Sequence, residues 1–148
     1  MGLGVNRDVS VSTGNVDISG SYLTNGADYA EYFKIEEPCE IYQVVSLCEN
    51  KKIKPAVKGD KFILGIVSER PSVVGNSHLA DNDPDSVRPV AFLGRVSAKV
   101  AGNVDFGDWL TISNISGHLE KASFGNERFA RAMESGSGVI EVLVLGGR

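Results

Sequence analysis

Apolar and polar residues alternate with a period of two along most of this chain, the pattern of strands with one buried face. Val9 and Val11, then Val16 and Ile18, alternate with Asp, Ser and Thr on either side of Thr13-Gly14-Asn15, which predicts a small hairpin or two β-solenoid rungs. Asn25-Gly26 is a strong two-residue turn signal. Further runs predict strands over Asp28–Ile35, Ile41–Leu47, Lys61–Ser68, Pro89–Leu93, Arg95–Val100, Trp109–Ile112, Leu119–Ala122, Phe129–Met133 and Val139–Leu145. Most are divided by Gly, Asn, Asp or Pro clusters at roughly 8–12-residue intervals, the spacing of a barrel or sandwich. The expectation is an all-β fold: a compact barrel or sandwich of about nine short strands, preceded by a short solenoid or hairpin stem. Glu127 to Glu134 has the length of two helical turns, yet its Phe129-Ala130-Arg131-Ala132-Met133 pattern fits a strand equally well. Gly75 to Arg88 breaks the rhythm and predicts a long polar loop. Its Asp81-Asn82-Asp83-Pro84-Asp85 order lacks the central glycine and closing glutamate of a calcium-binding EF-hand.

The length of 148 residues fits one domain with a short appendage. A net charge of −4 argues against a sequence-independent grip on nucleic acid, which needs a basic surface. The longest apolar runs, Phe62–Val67 and Val139–Leu145, fall far short of the ~20 residues of a membrane helix, and no signal segment is expected. Neither nucleic acid nor membrane insertion is therefore expected. Cys39 and Cys48 flank the predicted strand run Glu40 to Leu47. If straight, that run holds them on the order of 30 Å apart, beyond the ~7 Å Cα limit of a disulfide, which predicts two free thiols. His78 and His118 have no Cys or Glu partners at metal-ligand spacing, so no metal or cofactor is expected.

Local signatures of the common hydrolases are missing: there is no G-x-S-x-G elbow, P-loop or H-E-x-x-H. Gly136-Ser137-Gly138 sits where a strand-to-strand turn is needed. The segment Asn25-Gly26-Ala27-Asp28-Tyr29-Ala30-Glu31-Tyr32-Phe33 carries two acids, Asp28 and Glu31, just after a turn and among aromatics. In a regular strand the two point to opposite faces. To converge on one backbone site they need a bend or a bulge; otherwise Asp28 caps the turn and Glu31 is solvated.

The run Gly20-Ser21-Tyr22 … Gly26-Ala27-Asp28-Tyr29-Ala30-Glu31-Tyr32-Phe33 resembles the opening of the autoproteolytic intramolecular-chaperone domain (Peptidase_G2 type) found at the C-terminus of phage β-helical tail spikes and appendages. Similar blocks follow in order: Lys54-Pro55-Ala56, Ile63 to Ser68, Pro71 to Asn76, Arg88 to Val96, Gly107 to Leu110, Ala130 to Glu134 and Val142 to Leu145. The chain departs from the pattern at Pro38-Cys39-Glu40, where similar domains carry a Gly-Asp step before the second strand. The resemblance implies a homotrimeric tail spike or fibre, part of a virion and made in the host cytoplasm. Residues 1–26 would end its β-helical shaft, and residues 27–148 would form a C-terminal domain that assists assembly and then cuts itself off. The implied cleavage site is Ala27–Asp28 in a single-turnover reaction, with Asp28 and Glu31 as the implied catalytic acids. Asn76 is a weaker candidate to orient water or the carbonyl. A non-cleaving trimerisation cap or receptor-binding fibre tip is the alternative.

Overall fold

The computed structural model describes residues 10–145. Ten strands follow in order: β1 Asp28–Lys34, β2 Val44–Leu47, β3 Ile53–Pro55, β4 Ile63–Val67, β5 Val73–Gly75, β6 Val87–Val104, β7 Trp109–Ile112, β8 Leu119–Lys121, β9 Ala130–Ala132 and β10 Gly136–Val144. The expected all-β barrel is what the chain forms. Its organising element is β6, whose 18 residues serve two sheets in turn. The C-terminal half pairs with β8 on one side and β10 on the other, and β10–β9–β7–β8 closes a five-stranded barrel around it. The N-terminal half pairs with β4, which continues to β2 and β3, and on its other edge with β1, which carries β5.

Two apolar cores form, and the larger runs beyond the barrel to Val44, Ile66 and Ala91 of the second sheet. The barrel encloses Val96, Ala98, Val100, Leu110, Leu119, Ile140, Val142 and Val144, drawn from strands whose alternating residues share one face. A smaller core of Cys39, Val45, Ile53, Val67 and Val90 lies under the second sheet, with Phe33 and Ile35 packed against it. The changeover falls at Gly94, which pairs with Asp28 of β1 and with Val144 of β10.

Four expectations need correction. The alternation before Gly26 forms no strand within residues 10–27, and Val11, Val16 and Ile18 are exposed. A two-stranded hairpin is marginal unless something covers its apolar face; Val9 lies outside the described residues. Second, Pro89–Leu93 and Arg95–Val100 are one strand, because Gly94 adopts a φ of +105° and lets the chain run on. Third, the run between the cysteines is not straight: it turns at Ile41-Tyr42, where Tyr42 has a φ of 71°. Both thiols are free. Fourth, the polar stretch after β5 holds one helical turn, α1 (Leu79–Asn82), and a 3₁₀ turn, Pro84–Ser86. Ser137 belongs to the start of β10, where the register shifts between Gly136 and Gly138. Among the described residues no helix is long and apolar enough to cross a membrane.

Candidate active site

The chain enters the fold at Gly26–Asp28, and it enters under close constraint. A Cβ at Gly26 would stand 2.5 Å from the Ser72 nitrogen, so only glycine lets the chain lie on Pro71–Ser72. This contact, rather than a hairpin turn, explains the Asn25-Gly26 pair. Next to it, Thr24 Oγ1 and Ser72 Oγ are hydrogen-bonded at 2.5 Å, and Thr24 Oγ1 also donates to the Gly26 carbonyl at 3.2 Å. The Ser72 N–H donates to the Asp28 carbonyl at 2.8 Å, and the Arg95 N–H donates to the Ala27 carbonyl at 3.4 Å. On the far side, a Cβ at Gly94 would lie 2.6 Å from the Ala27 oxygen. The Ala27–Asp28 peptide is thereby held between the Pro71–Ser72 segment and the middle of β6.

Asp28 opens β1 with its side chain turned inward, 5% exposed. Its neighbour there is Ser68, also buried, at the end of β4. Oδ2 of Asp28 is buried and has no hydrogen-bond partner. Burial pushes the carboxyl above the ordinary aspartate value of 3.8; the Ser68 hydroxyl and the residue's own N–H act the other way. The neutral acid therefore persists to higher pH than on an ordinary surface. Beside the junction lies a cavity of about 180 Å³, lined by Asn25 to Asp28, Tyr42, Ser68 to Arg70, Arg95 to Ser97 and Glu141. It is large enough for water and has polar walls. Three of the charged groups around it are partnered: Arg95 pairs with Glu141 at 3.3 Å, and Glu69 accepts a short hydrogen bond from the Tyr42 hydroxyl.

Glu31 is elsewhere. β1 alternates regularly, burying Asp28 and Ala30 and turning Tyr29 and Glu31 the other way. The strand pair does bulge, but the extra residue is Phe92 on β6, so β1 itself is not bent. Glu31 pairs in register with Gly75, and the Asn76 side chain donates to Glu31 Oε1 at 3.1 Å. Asn76 holds a positive φ of 55°, a conformation that asparagine tolerates better than most residues. One chain thus brings Glu31 and Asn76 together and leaves Asp28 with Ser68 and the junction. Sequence reasoning did not single out Ser68, Gly94 or Arg95. They lie 40 or more residues from Asp28, and only strand pairing brings them to it.

The entry segment and the strands β1 to β5 that follow it define the class. Residues 2–83, more than half of the chain, match the family described as Peptidase_G2, IMC autoproteolytic cleavage domain, and the chain belongs to that family. Two solved structures share the fold, both of bacteriophage phi29 gene product 12. Pre-mature gene product 12 superposes with a TM-score of 0.64 at 20% identity, over 88% of this chain and 23% of that one. The C-terminal fragment of gene product 12 superposes with a TM-score of 0.56 at 21% identity, over 79% of this chain and 99% of the fragment. The chain therefore spans about a quarter of the length of the pre-mature protein. No curated protein matches.

Proposed function

We propose that this chain is the C-terminal domain of a phage tail spike or appendage, that it assists trimeric folding, and that it cuts itself from an upstream shaft at Ala27–Asp28. Family membership supports the cleavage reaction. The fold shared with nearly the whole C-terminal fragment of gene product 12 supports the place in the appendage. One observation carries the choice of bond: the buried Asp28 carboxyl, one oxygen of which has no partner, belongs to the residue whose own amide is closely packed on both sides. A buried acid left short of partners is costly, and a catalytic role is one explanation of such a group.

In the reaction, a water oxygen bonds to the Ala27 carbonyl carbon and passes a proton to a carboxylate base. The C–N bond then breaks as the Asp28 carboxyl gives its proton to the departing nitrogen. The products are an Ala27 carboxylate and a new amino terminus at Asp28. Direct attack by an Asp28 oxygen is also sterically available, since it closes a six-membered ring with the Ala27 carbon. The resulting anhydride then needs water to give the same products. A half-time of about ten minutes corresponds to a barrier of roughly 21–22 kcal/mol, and fixed geometry supplies about 7–11 kcal/mol of the reduction.

Glu31 is the base in this reading, and its position gives the reaction a link to assembly. Within one chain it faces away from the Asp28 carboxyl, so it serves a junction only across a chain boundary. A homotrimer that sets Glu31 and Asn76 of one protomer against the junction of the next completes the site only when assembly is correct. Cleavage then reports folding of a product whose non-local β pairing is slow. The test is the intact mass of purified oligomer over time, in wild type and in Glu31→Gln. First-order appearance of a split at Ala27–Asp28 is expected, with marked slowing in the variant. An uncut wild-type oligomer leaves a passive fibre cap.

A further inference from the structure

The cut needs a place for negative charge as well as an acid and a base. When water adds to the Ala27 carbon, the carbonyl oxygen becomes an alkoxide, and donors already aimed at it lower the barrier most. Around that oxygen the chain has cleared space. Gly94 presents no side chain, and its φ of +105° turns the backbone so that the next N–H, that of Arg95, points at Ala27. The N–H to oxygen distance of 3.4 Å is longer than the usual ladder bond of about 2.9 Å, which leaves room to tighten as charge develops. The same residue lines the cavity beside the junction, and Glu141 of β10, which also lines it, holds the Arg95 guanidinium at 3.3 Å. β1 and β10 meet end to end along β6 at this point, so Arg95 stands where the entry segment reaches the barrel.

We propose that Arg95 is the oxyanion partner of self-cleavage: its main-chain N–H receives the Ala27 oxygen over Gly94, and its guanidinium, braced by Glu141, stabilises the charge from the cavity side. This rests on Ala27–Asp28 being the bond that is cut. Glu69 and Arg70 after β4, and Tyr42 before β2, line the same cavity. Of these, Tyr42 and Glu69 are engaged with each other. Arg95 alone among these groups also contacts the reacting carbonyl through its backbone.

The experiment measures first-order cleavage of the full chain by intact mass and maps the new terminus, in wild type, Arg95→Lys, Arg95→Gln, Arg95→Ala and Gly94→Ala. The Arg95 side chain is half exposed, so the Arg95 variants should fold, and thermal unfolding followed at Trp109 checks that they do. Arg95→Gln is expected to slow cleavage about tenfold, less than the loss of a fully enclosed donor because the group is partly solvated. Arg95→Lys should keep most of the rate, and millimolar guanidinium, but not equal sodium chloride, should restore Arg95→Ala. A folded Gly94→Ala should slow about 100-fold, since its Cβ displaces the Ala27 oxygen; if it does not fold, the Arg95 series decides. Folded Arg95 variants cutting Ala27–Asp28 at the wild-type rate overturn the proposal alone. A wild-type cut mapped to another bond overturns the assignment on which it rests.

Discussion

Two aspartates in this fold sit beside buried serines, and they live in opposite circumstances. Asp60, in the turn between β3 and β4, accepts from Ser46 Oγ at 2.6 Å, from Lys54 Nζ at 2.9 and 3.0 Å, and from the Val57 N–H at 2.9 Å. Burial alone pushes its carboxyl up, but these partners outweigh it and hold the group below the ordinary value of 3.8. Asp28 has Ser68 and no cation bonded to it, and one of its oxygens has no partner. The first arrangement ties a turn to two strands. The second keeps a carboxyl short of partners beside a peptide bond, at a cost in stability that a role in cleavage accounts for.

The sharpest way to break that contrast is to exchange each acid for its amide. Asp28→Asn should slow cleavage at least about 100-fold by removing the transferable proton, whereas Asp60→Asn should leave the rate of the folded fraction unchanged. Equal slowing in both would erase the distinction. Stability should move the other way. Asp60→Ala should cost about 2–3 kcal/mol in urea unfolding, because Ser46 and a largely buried Lys54 lose their partner. Asp28→Asn should gain about 1 kcal/mol at pH 7 by removing a buried charge that has no cation beside it. The single tryptophan, Trp109, reports both, with the guanidinium carbons of Arg128 and Arg131 each 5.2 Å from its ring centroid.

pH separates the two further. A raised folded value means that Asp28's contribution to stability is complete below 3.8 and is lost as pH rises through the folded value. The advantage of Asp28→Asn should therefore be largest at neutral pH and close on acidification toward pH 4. The depressed Asp60 contributes above 3.8 and loses that contribution as pH falls through its folded value. The penalty of Asp60→Asn should thus shrink only in stronger acid. Unfolding curves at a series of pH values check both signs. The smallest effect concerns the thiols. Burial pushes Cys39 up to about 11, so a thiol reagent at pH 8 should label it at least about tenfold more slowly than the partly exposed Cys48.

Much of the barrel was legible because alternation is a local property. Trp109–Ile112 forms over the predicted residues, Lys61–Ser68 needed only trimming to Ile63–Val67, and the run expected at Val139–Leu145 begins three residues earlier, at Gly136, and ends at Val144. Ile53–Pro55 and Val73–Gly75 escaped notice because three residues carry too little pattern, and each is a strand only through its neighbour. Gly94 read as a break because a glycine within a strand pattern usually marks one; whether it ends the strand or turns it depends on partners distant in sequence. The same holds at the site. The acids and the opposite facing of positions 28 and 31 follow from sequence and period. That Asp28 lies against Ser68, and Ala27 over Gly94, is a matter of register between strands.

The most direct measurement is the identity of the amino terminus that forms when the purified, assembled protein is left to stand, read by mass and end-sequencing in wild type beside Asp28→Asn. A new chain beginning at Asp28 is expected in wild type, forming with a rate constant independent of protein concentration, and almost none in the variant. An assembled wild type that stays whole, or a variant that cuts as fast, would contradict this expectation.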